Sequence, residues 1–348
     1  MSAAMTDSPG ALMAAEISEQ PAVLARRLED VAELQAVREQ LRTASPRFVL
    51  IAARGTSDHA ALYAKYLVEV RLGLPAGLVS PSAYTVQGAR PDLHDVLFVA
   101  VSQSGGSPDL VDSLSVAREC GALTLAVTNA PDSALARGAE LSVDVAAGAE
   151  RAVAATKTYT AELLTLQLLL SGADAVRDAA AVPEAAARTL ELAGEDRLAT
   201  AADLCAAERI VVTGRGYSYP TALEAALKLM ETSYVSAQAF SGADLMHGPM
   251  AMIDSAVPTI AVVSPGRDGQ AMAPVLDRLS ELGGPVVRVG APDDQAAASL
   301  PISCEGVAEH LLPILEILPL QRLALTLALR RGVDPDRPRG LSKVTETR

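Results

Sequence analysis

Lysine, cysteine and histidine are all scarce in this chain of 348 residues, which has four Lys against 25 Arg, three Cys and four His. Cys120, Cys205 and Cys304 lie far apart, with no C-x-x-C pair and no metal-ligand spacing. A disulfide framework and a cysteine-held zinc are therefore excluded, and buried free thiols in a reducing cytoplasm are expected. No pair among His59, His94, His247 and His310 has ligand spacing either, so no metal and no cofactor are expected. His59 and His310 read as structural or exposed helix residues, and His94 as part of a surface turn. No apolar run approaches a membrane span, and the start shows no signal-peptide pattern. The expectation is a soluble, cytoplasmic protein with no membrane partner. A net charge of −13 argues against nucleic acid as a partner. Any anionic ligand must then be met locally, by helix N-termini and a few cations.

What is present is an alternation of apolar runs, glycine turns and helical patterns over a length that suits two domains. Residues 47–53 read as a strand, Arg54-Gly55-Thr56-Ser57 as a turn, and the following residues through Val70 as a helix. The unit repeats as a strand Val96–Val101, the turn Ser102-Gln103-Ser104-Gly105-Gly106-Ser107, and a helix from Pro108. Strands at Leu123–Thr128 and Leu141–Val145 and an apolar helix Thr160–Leu170 follow. An Ala-rich helical connector runs from Val182 to Ala207. The pattern then restarts: Arg54-Gly55-x-Ser57-x-x-x-Ala61-Leu62-x-Ala64 recurs as Arg215-Gly216-x-Ser218-x-x-x-Ala222-Leu223-x-Ala225. A repeat of domain size means duplication. The second copy has strands at residues 209–213, Pro258–Val263, Pro285–Val289 and Leu300–Ser303, and a long apolar helix Glu309–Arg331. Such alternation predicts an α/β fold with parallel sheets covered on both faces.

Two clusters carry candidate chemistry. Three serines around two glycines at Ser102–Ser107 read equally well as a phosphate cradle or as a polar turn with an N-cap serine. The equivalent turn of the second copy, Ser264-Pro265-Gly266-Arg267, lacks the serine cluster. In the second copy Glu224, Lys228 and Glu231 share one helix face at i, i+4 and i+7. Spacing alone favours a solvated charged face there, with the neighbouring Leu223, Leu227 and Met230 stripe able to bury. His247 follows on a glycine-rich stretch expected to be a loop. Pro21 is expected to break or restart the first helix.

The string LEAALKLMETSY followed by GADLMHGPMAMID resembles the isomerase half of glucosamine-6-phosphate synthase (glutamine–fructose-6-phosphate aminotransferase). That half is a tandem of sugar isomerase (SIS) domains. EISEQP (Glu16 to Pro21), VAATK (Val153 to Lys157) and PRGLSKVT in the tail resemble other segments of the same family. The resemblance covers nearly the whole chain but only half of the synthase. A chain opening Met1-Ser2 is expected to lack the synthase's glutaminase domain and its Cys nucleophile. The ending VTETR is more like the stand-alone SIS-type glucosamine-6-phosphate deaminases. The resemblance implies two flavodoxin-like, three-layer domains. The expected divisions are an N-terminal helical segment 1–45, a first SIS domain 46–195 that binds phosphate, a second 196–332 with acid–base groups, and a lid tail 333–348.

By the same resemblance, His247 opens the sugar ring, Glu231 shuttles a proton, and Lys343 closes the site and can form an imine. Glu224 and Lys228 orient these groups or bind sugar hydroxyls. Thr56, Ser57, Ser102, Gln103, Ser104 and Ser107 hold phosphate and nearby oxygens, while Val153 and Ser342 contribute backbone contacts. The family usually carries an acidic residue at Gly106 and Thr at Ser107. Lys65 and Lys157 are assigned no chemistry. The implied activity is deamination of glucosamine 6-phosphate to fructose 6-phosphate, in a homodimer where His247 reaches the partner's sugar. A nitrogen-free aldose–ketose isomerase, a fructosamine-6-phosphate deglycase and a sugar-phosphate-binding regulator are the alternatives. Residues 1–10 and the tail read as irregular, the tail mobile until substrate orders it.

Overall fold

The computed structural model describes residues 8–292 and 296–343. The chain divides into two compact units, each assembled from separated stretches of sequence. Among the described residues, one comprises 23–150, 157–180 and 342–343; the other comprises 8–22, 151–156, 181–292 and 296–341. Each contains one five-stranded, all-parallel sheet. The first has β1 (Phe48–Ala52), β2 (Ala76–Leu78), β3 (Val96–Ser102), β4 (Leu123–Thr128) and β5 (Leu141–Asp144), in spatial order β2-β1-β3-β4-β5. The second has β6 (Arg209–Gly214), β7 (Ser236–Ser241), β8 (Thr259–Val263), β9 (Val286–Gly290) and β10 (Ala298–Pro301), in the order β7-β6-β8-β9-β10. The two orders are the same, as duplication requires. Central strands such as β3 (VLFVAVS) and β8 (TIAVV) are buried almost throughout because helices cover both faces.

The sequence reading missed β2 and β7, which are the same element in the two copies. Both are edge strands: AGL has only three residues, and SAQAFS is exposed or half-buried along most of its length. Neither presents the continuous apolar run that marks a central strand.

Pro21 does not break its helix, which runs from Ala11 to Glu29. Proline removes the N–H that would bond the carbonyl of Ile17, and the Gln20 side-chain amide donates to that carbonyl instead, at 3.1 Å. The helical connector is interrupted: helices Val182–Leu192 and Glu195–Leu204 are separated at Gly194. The expected irregularity of residues 1–7 and of residues beyond Lys343 lies outside the described residues. The expectation that no run approaches a membrane span needs correction. Among the described residues Glu309–Arg330 is long and apolar enough, but 83% of its most apolar window is buried inside the fold. The cysteines are unpaired, yet only Cys205 is buried, which pushes its thiol up to about 12; Cys120 and Cys304 are half-buried.

Each copy pins its repeat serine to a buried carboxylate on a long apolar helix. Ser57 donates to Glu162 of helix Lys157–Leu170 at 2.9 Å. Ser218 donates to Glu316 of helix Leu312–Arg330 at 2.7 Å, and Thr221 adds a second bond at 3.0 Å. Burial raises the Glu316 carboxyl above its ordinary 4.5, against the lowering effect of these hydroxyls. A carboxyl raised in the folded state stabilises most below its unfolded value, and that contribution is lost as pH rises through the folded value. Glu316→Gln cannot ionise. Its stability relative to wild type should therefore increase from pH 4.5 upward and then level off, read by urea unfolding at stepped pH. Parallel stability profiles for the two proteins would refute this.

Candidate active site

A parallel sheet in this order reverses its winding between β1 and β3, leaving a crevice at their C-terminal ends. The turns that flank it in the first unit are Arg54–Ser57 and Ser102–Ser107, the two already singled out. Helices Thr56–Leu67 and Pro108–Glu119 both begin there, with the positive ends of their dipoles toward it. Gly55 and Gly105 hold left-handed backbone, at φ 57° each. At Gly105 no side chain would fit, because a Cβ would lie 2.1 Å from the Ser133 hydroxyl oxygen.

The serines fall into two groups. Ser102 and Ser104 accept backbone N–H bonds within their own turn, from Gly105 at 3.2 Å and Gly106 at 3.3 Å. Their hydroxyl protons are thus not consumed by these bonds. Ser107 donates to Asp109 at 2.9 Å, and Asp109 is also clamped by Arg54 at 2.7 and 2.8 Å. Ser57 is buried and donates its proton to Glu162, so in this state that hydroxyl is committed away from an anion. Thr56 and Gln103 are half-buried on the two turns. An apolar cavity of about 590 Å³ sits near Pro46, Val49 and Leu97, at the opposite ends of the strands, and none of these candidate residues lines it.

The tail's Lys343 belongs to this same unit. Its ammonium donates to Glu150 at 3.1 Å, and Glu150, whose side chain is fully buried, also accepts the N–H of Thr158 at 3.1 Å. Upstream, in the other unit, Asp334 accepts from Gly10 at 3.1 Å, while Asp336 accepts from Leu12 and Met13 at 2.8 and 2.9 Å. The Arg339 guanidinium lies over the Tyr234 ring at 4.2 Å, and the Arg339 backbone N–H donates to the Tyr234 hydroxyl at 2.8 Å. The described part of the tail is irregular, as expected, and makes these contacts. The sequence offered no apolar anchor, whereas the actual anchors are carboxylates on a helix N-terminus and an arginine on an aromatic ring.

In the second unit the equivalent crevice, between β6 and β8, is filled by the chain's own carboxylates. Asp268 accepts the N–H of Tyr217 at 2.8 Å, and Glu309 accepts that of Asp268 at 2.8 Å. A Cβ on Gly216 would lie 2.0 Å from Asp268, and one on Gly266 would lie 2.3 Å from Glu309. An incoming phosphate there would meet the Asp268 and Glu309 carboxyl groups on the turn N–H donors.

Glu224, Lys228 and Glu231 lie on helix Ser218–Ser233, and the solvated-face reading is overturned. Glu224 and Lys228 are fully buried, whereas Met230 is 42% exposed and Leu223 and Leu227 are only half-buried. The charged face turns inward, on a helix that packs against β6, β7 and helix Leu312–Arg330. Lys228 bridges both acids, at 2.5 Å from Glu231 and 3.3 Å from Glu224. Burial alone would drive its ammonium toward neutrality, but the two carboxylates outweigh this and raise it. Lys228 is therefore a fixed cation, and Glu231, 22% exposed at the side chain, is the accessible end of the triad. His247 is exposed and ends the one-turn helix Gly242–Met246, so the expected loop is a helix turn, His247, and a short 3₁₀ turn Pro249–Met252. Val153 lies in an irregular segment of this unit. Of the remaining lysines, Lys65 pairs with Glu69 at 2.7 Å, and Lys157 is buried at a helix start. Among the other histidines, His310 is buried and His94 is an exposed partner of Asp92.

The SIS domain family model matches residues 44–172 and again 203–330. A glutamine–fructose-6-phosphate aminotransferase (isomerizing) from Methanothermobacter thermautotrophicus is 34% identical over 340 residues. That match covers 95% of this chain and 56% of the relative, so the chain spans a little over half the length of the protein it matches. The solved C-terminal domain of glucosamine-fructose-6-phosphate aminotransferase from Francisella tularensis superposes with a TM-score of 0.83 at 26% identity, covering 94% of this chain and 98% of that one. A glucosamine-6-phosphate deaminase from Thermotoga maritima gives a TM-score of 0.75 at 21% identity, covering 97% and 100% of the two chains, a likeness of fold alone.

The buried triad yields a stability test. Replacing Lys228 by Met leaves Glu224 charged and buried without its cation, a loss of about 3–5 kcal/mol. Removing Glu224 as well, in Glu224→Leu/Lys228→Met, should recover part of it, since Glu231 retains access to water. Equal stability of wild type and Lys228→Met in urea would show that the triad is not the structural unit described.

Proposed function

Because the chain belongs to the SIS domain family, we propose that it is a sugar-phosphate enzyme that moves a proton between C2 and C1 of an amino-hexose 6-phosphate. In the direction proposed, glucosamine 6-phosphate becomes fructose 6-phosphate and ammonia. The observation that carries the reading is the triad, a partly exposed Glu231 held 2.5 Å from a buried, protonated Lys228. A shuttle base must reach two adjacent carbons from one position, and a carboxylate fastened from behind by a fixed cation meets that need.

The serine turn at the first crevice receives the phosphate, with Ser102 and Ser104 donating and the helix starts at Thr56 and Pro108 adding their dipoles. Gln103 and Ser107 border the same anion, and Ser57 joins only if its hydroxyl leaves Glu162. His247 donates to the ring oxygen and opens the sugar. Glu231 then removes the C2 proton to give an enaminol and returns it to C1, leaving a ketimine at C2. Water adds to that carbon, the C–N bond breaks, and ammonia leaves. Lys343 closes over the sugar and supplies an amine able to form an imine with the open-chain carbonyl. Val153 and Ser342 offer backbone groups, and Glu224 holds Lys228 in place.

We also read the protein as a homodimer. Leu223, Leu227 and Met230 leave an apolar stripe partly exposed on an otherwise buried helix, and Met246 beside His247 is 44% exposed. That arrangement suits a second copy whose sugar His247 reaches.

Purified protein should release ammonia and fructose 6-phosphate from glucosamine 6-phosphate, with no response to glutamine. Glu231→Gln should lower kcat by roughly 10²–10⁴-fold with little change in KM. Interconversion of glucose and fructose 6-phosphates without ammonia would replace deamination by plain isomerisation. Tight binding of both sugars without turnover would replace catalysis by sensing.

The shared site has its own test. Glu231→Gln and His247→Ala proteins, each inactive alone, should regain up to about a quarter of wild-type activity per site when their subunits are mixed and exchanged, since one intact site can form per heterodimer. A verified heterodimer with no activity excludes His247 from the partner's site.

A further inference from the structure

Glu16 and Gln20 stand four apart on helix Ala11–Glu29, and both are buried, at 4% and 0% exposure. Nothing in the proposed chemistry uses them, and polar groups at such depth require partners. Their partners are at the two ends of one irregular segment, residues 151–156. Glu16 accepts the backbone N–H groups of Arg151 and Ala152, the latter at 3.2 Å. Gln20 donates to Gln321 at 2.7 Å, and Gln321, itself fully buried, donates to the carbonyl of Thr156 at 3.2 Å. Ala152 also packs with Met13 and Ile17 of the same helix. The segment forms no helix or strand, so these side chains supply backbone partners that secondary structure would otherwise provide.

We propose that Glu16 and Gln20 are positioning residues that brace residues 151–156 at both ends and thereby fix the backbone of Val153 for sugar. This rests on the reading that Val153 contacts the sugar. The EISEQP stretch is then a device for the binding loop, built from a distant part of the chain. The i, i+4 spacing puts both side chains on one helix face, and the Gln20 amide also satisfies the Ile17 carbonyl freed by Pro21. One side chain thus repairs the proline helix and anchors the loop.

The test uses Glu16→Leu, which removes both acceptor oxygens from the Arg151 and Ala152 N–H groups, and Gln20→Leu, which keeps bulk and removes the link to Gln321. Hydrogen exchange at residues 151–156 should accelerate by about tenfold or more, the scale of one lost hydrogen bond, while helix Ser218–Ser233 keeps its protection. KM for glucosamine 6-phosphate should rise by about tenfold with kcat changed much less. A merely structural role would lower the active fraction, and hence the apparent kcat, at constant KM. Unchanged exchange at residues 151–156 overturns the brace. Faster exchange with unchanged KM overturns its link to sugar. Glu231→Gln is measured alongside: if it retains full turnover, the proposed chemistry fails, while the exchange data still decide the brace.

Discussion

A parallel sheet whose winding reverses must leave a crevice where the reversal occurs, because the helices after the two central strands depart to opposite faces. This constraint organises both units. It places the turns after β1 and β3 side by side, and likewise those after β6 and β8. Glycine turns and helix starts converge there, so each crevice is anion-seeking before any side chain is chosen.

The two copies then diverge in what fills that position. In the first, short hydroxyl side chains line the turn, and Arg54 is held back by Asp109. In the second, Asp268 takes the N–H of Tyr217 and Glu309 takes that of Asp268. A carboxylate of the chain stands where a ligand's charge would go. Gly216 and Gly266 have no Cβ at points where one would collide with those carboxylates. Duplication has thus left two crevices of one geometry but different lining, hydroxyls in the first copy and carboxylates in the second.

Buried charge and irregular backbone impose the remaining requirements. Lys228 is tolerated at zero exposure because two carboxylates compensate for its lost hydration. Residues 151–156 are tolerated without secondary structure because Glu16 and Gln321 satisfy their ends. The tail is held by Asp334 and Asp336 at the start of helix Ala11–Glu29 and by Glu150 at Lys343. In each case the partner lies more than a hundred residues away or on a buried helix face.

The sequence by itself determined the elements whose signal is local. Apolar runs bounded by glycine marked eight of the ten strands among the described residues, the Arg-Gly-x-Ser repeat marked the duplication, and the serine cluster marked which copy has the hydroxyl-lined turn. The edge strands β2 and β7 escaped because an edge lacks the uninterrupted apolar pattern. Tertiary structure decided the orientation of side chains and the fate of charges. Glu224–Lys228–Glu231 read as a solvent face because i, i+4 pairs usually are, and only the packing of helix Leu312–Arg330 and two strands turns it inward. That Ser57 donates its proton to Glu162, 105 residues away, was not legible in the Arg-Gly-x-Ser pattern. Pro21 read as a helix break until Gln20 supplied the missing donor. Propensity and period are properties of neighbouring residues, whereas burial and hydrogen-bond partners depend on what the fold brings alongside, and that information is spread over the whole chain.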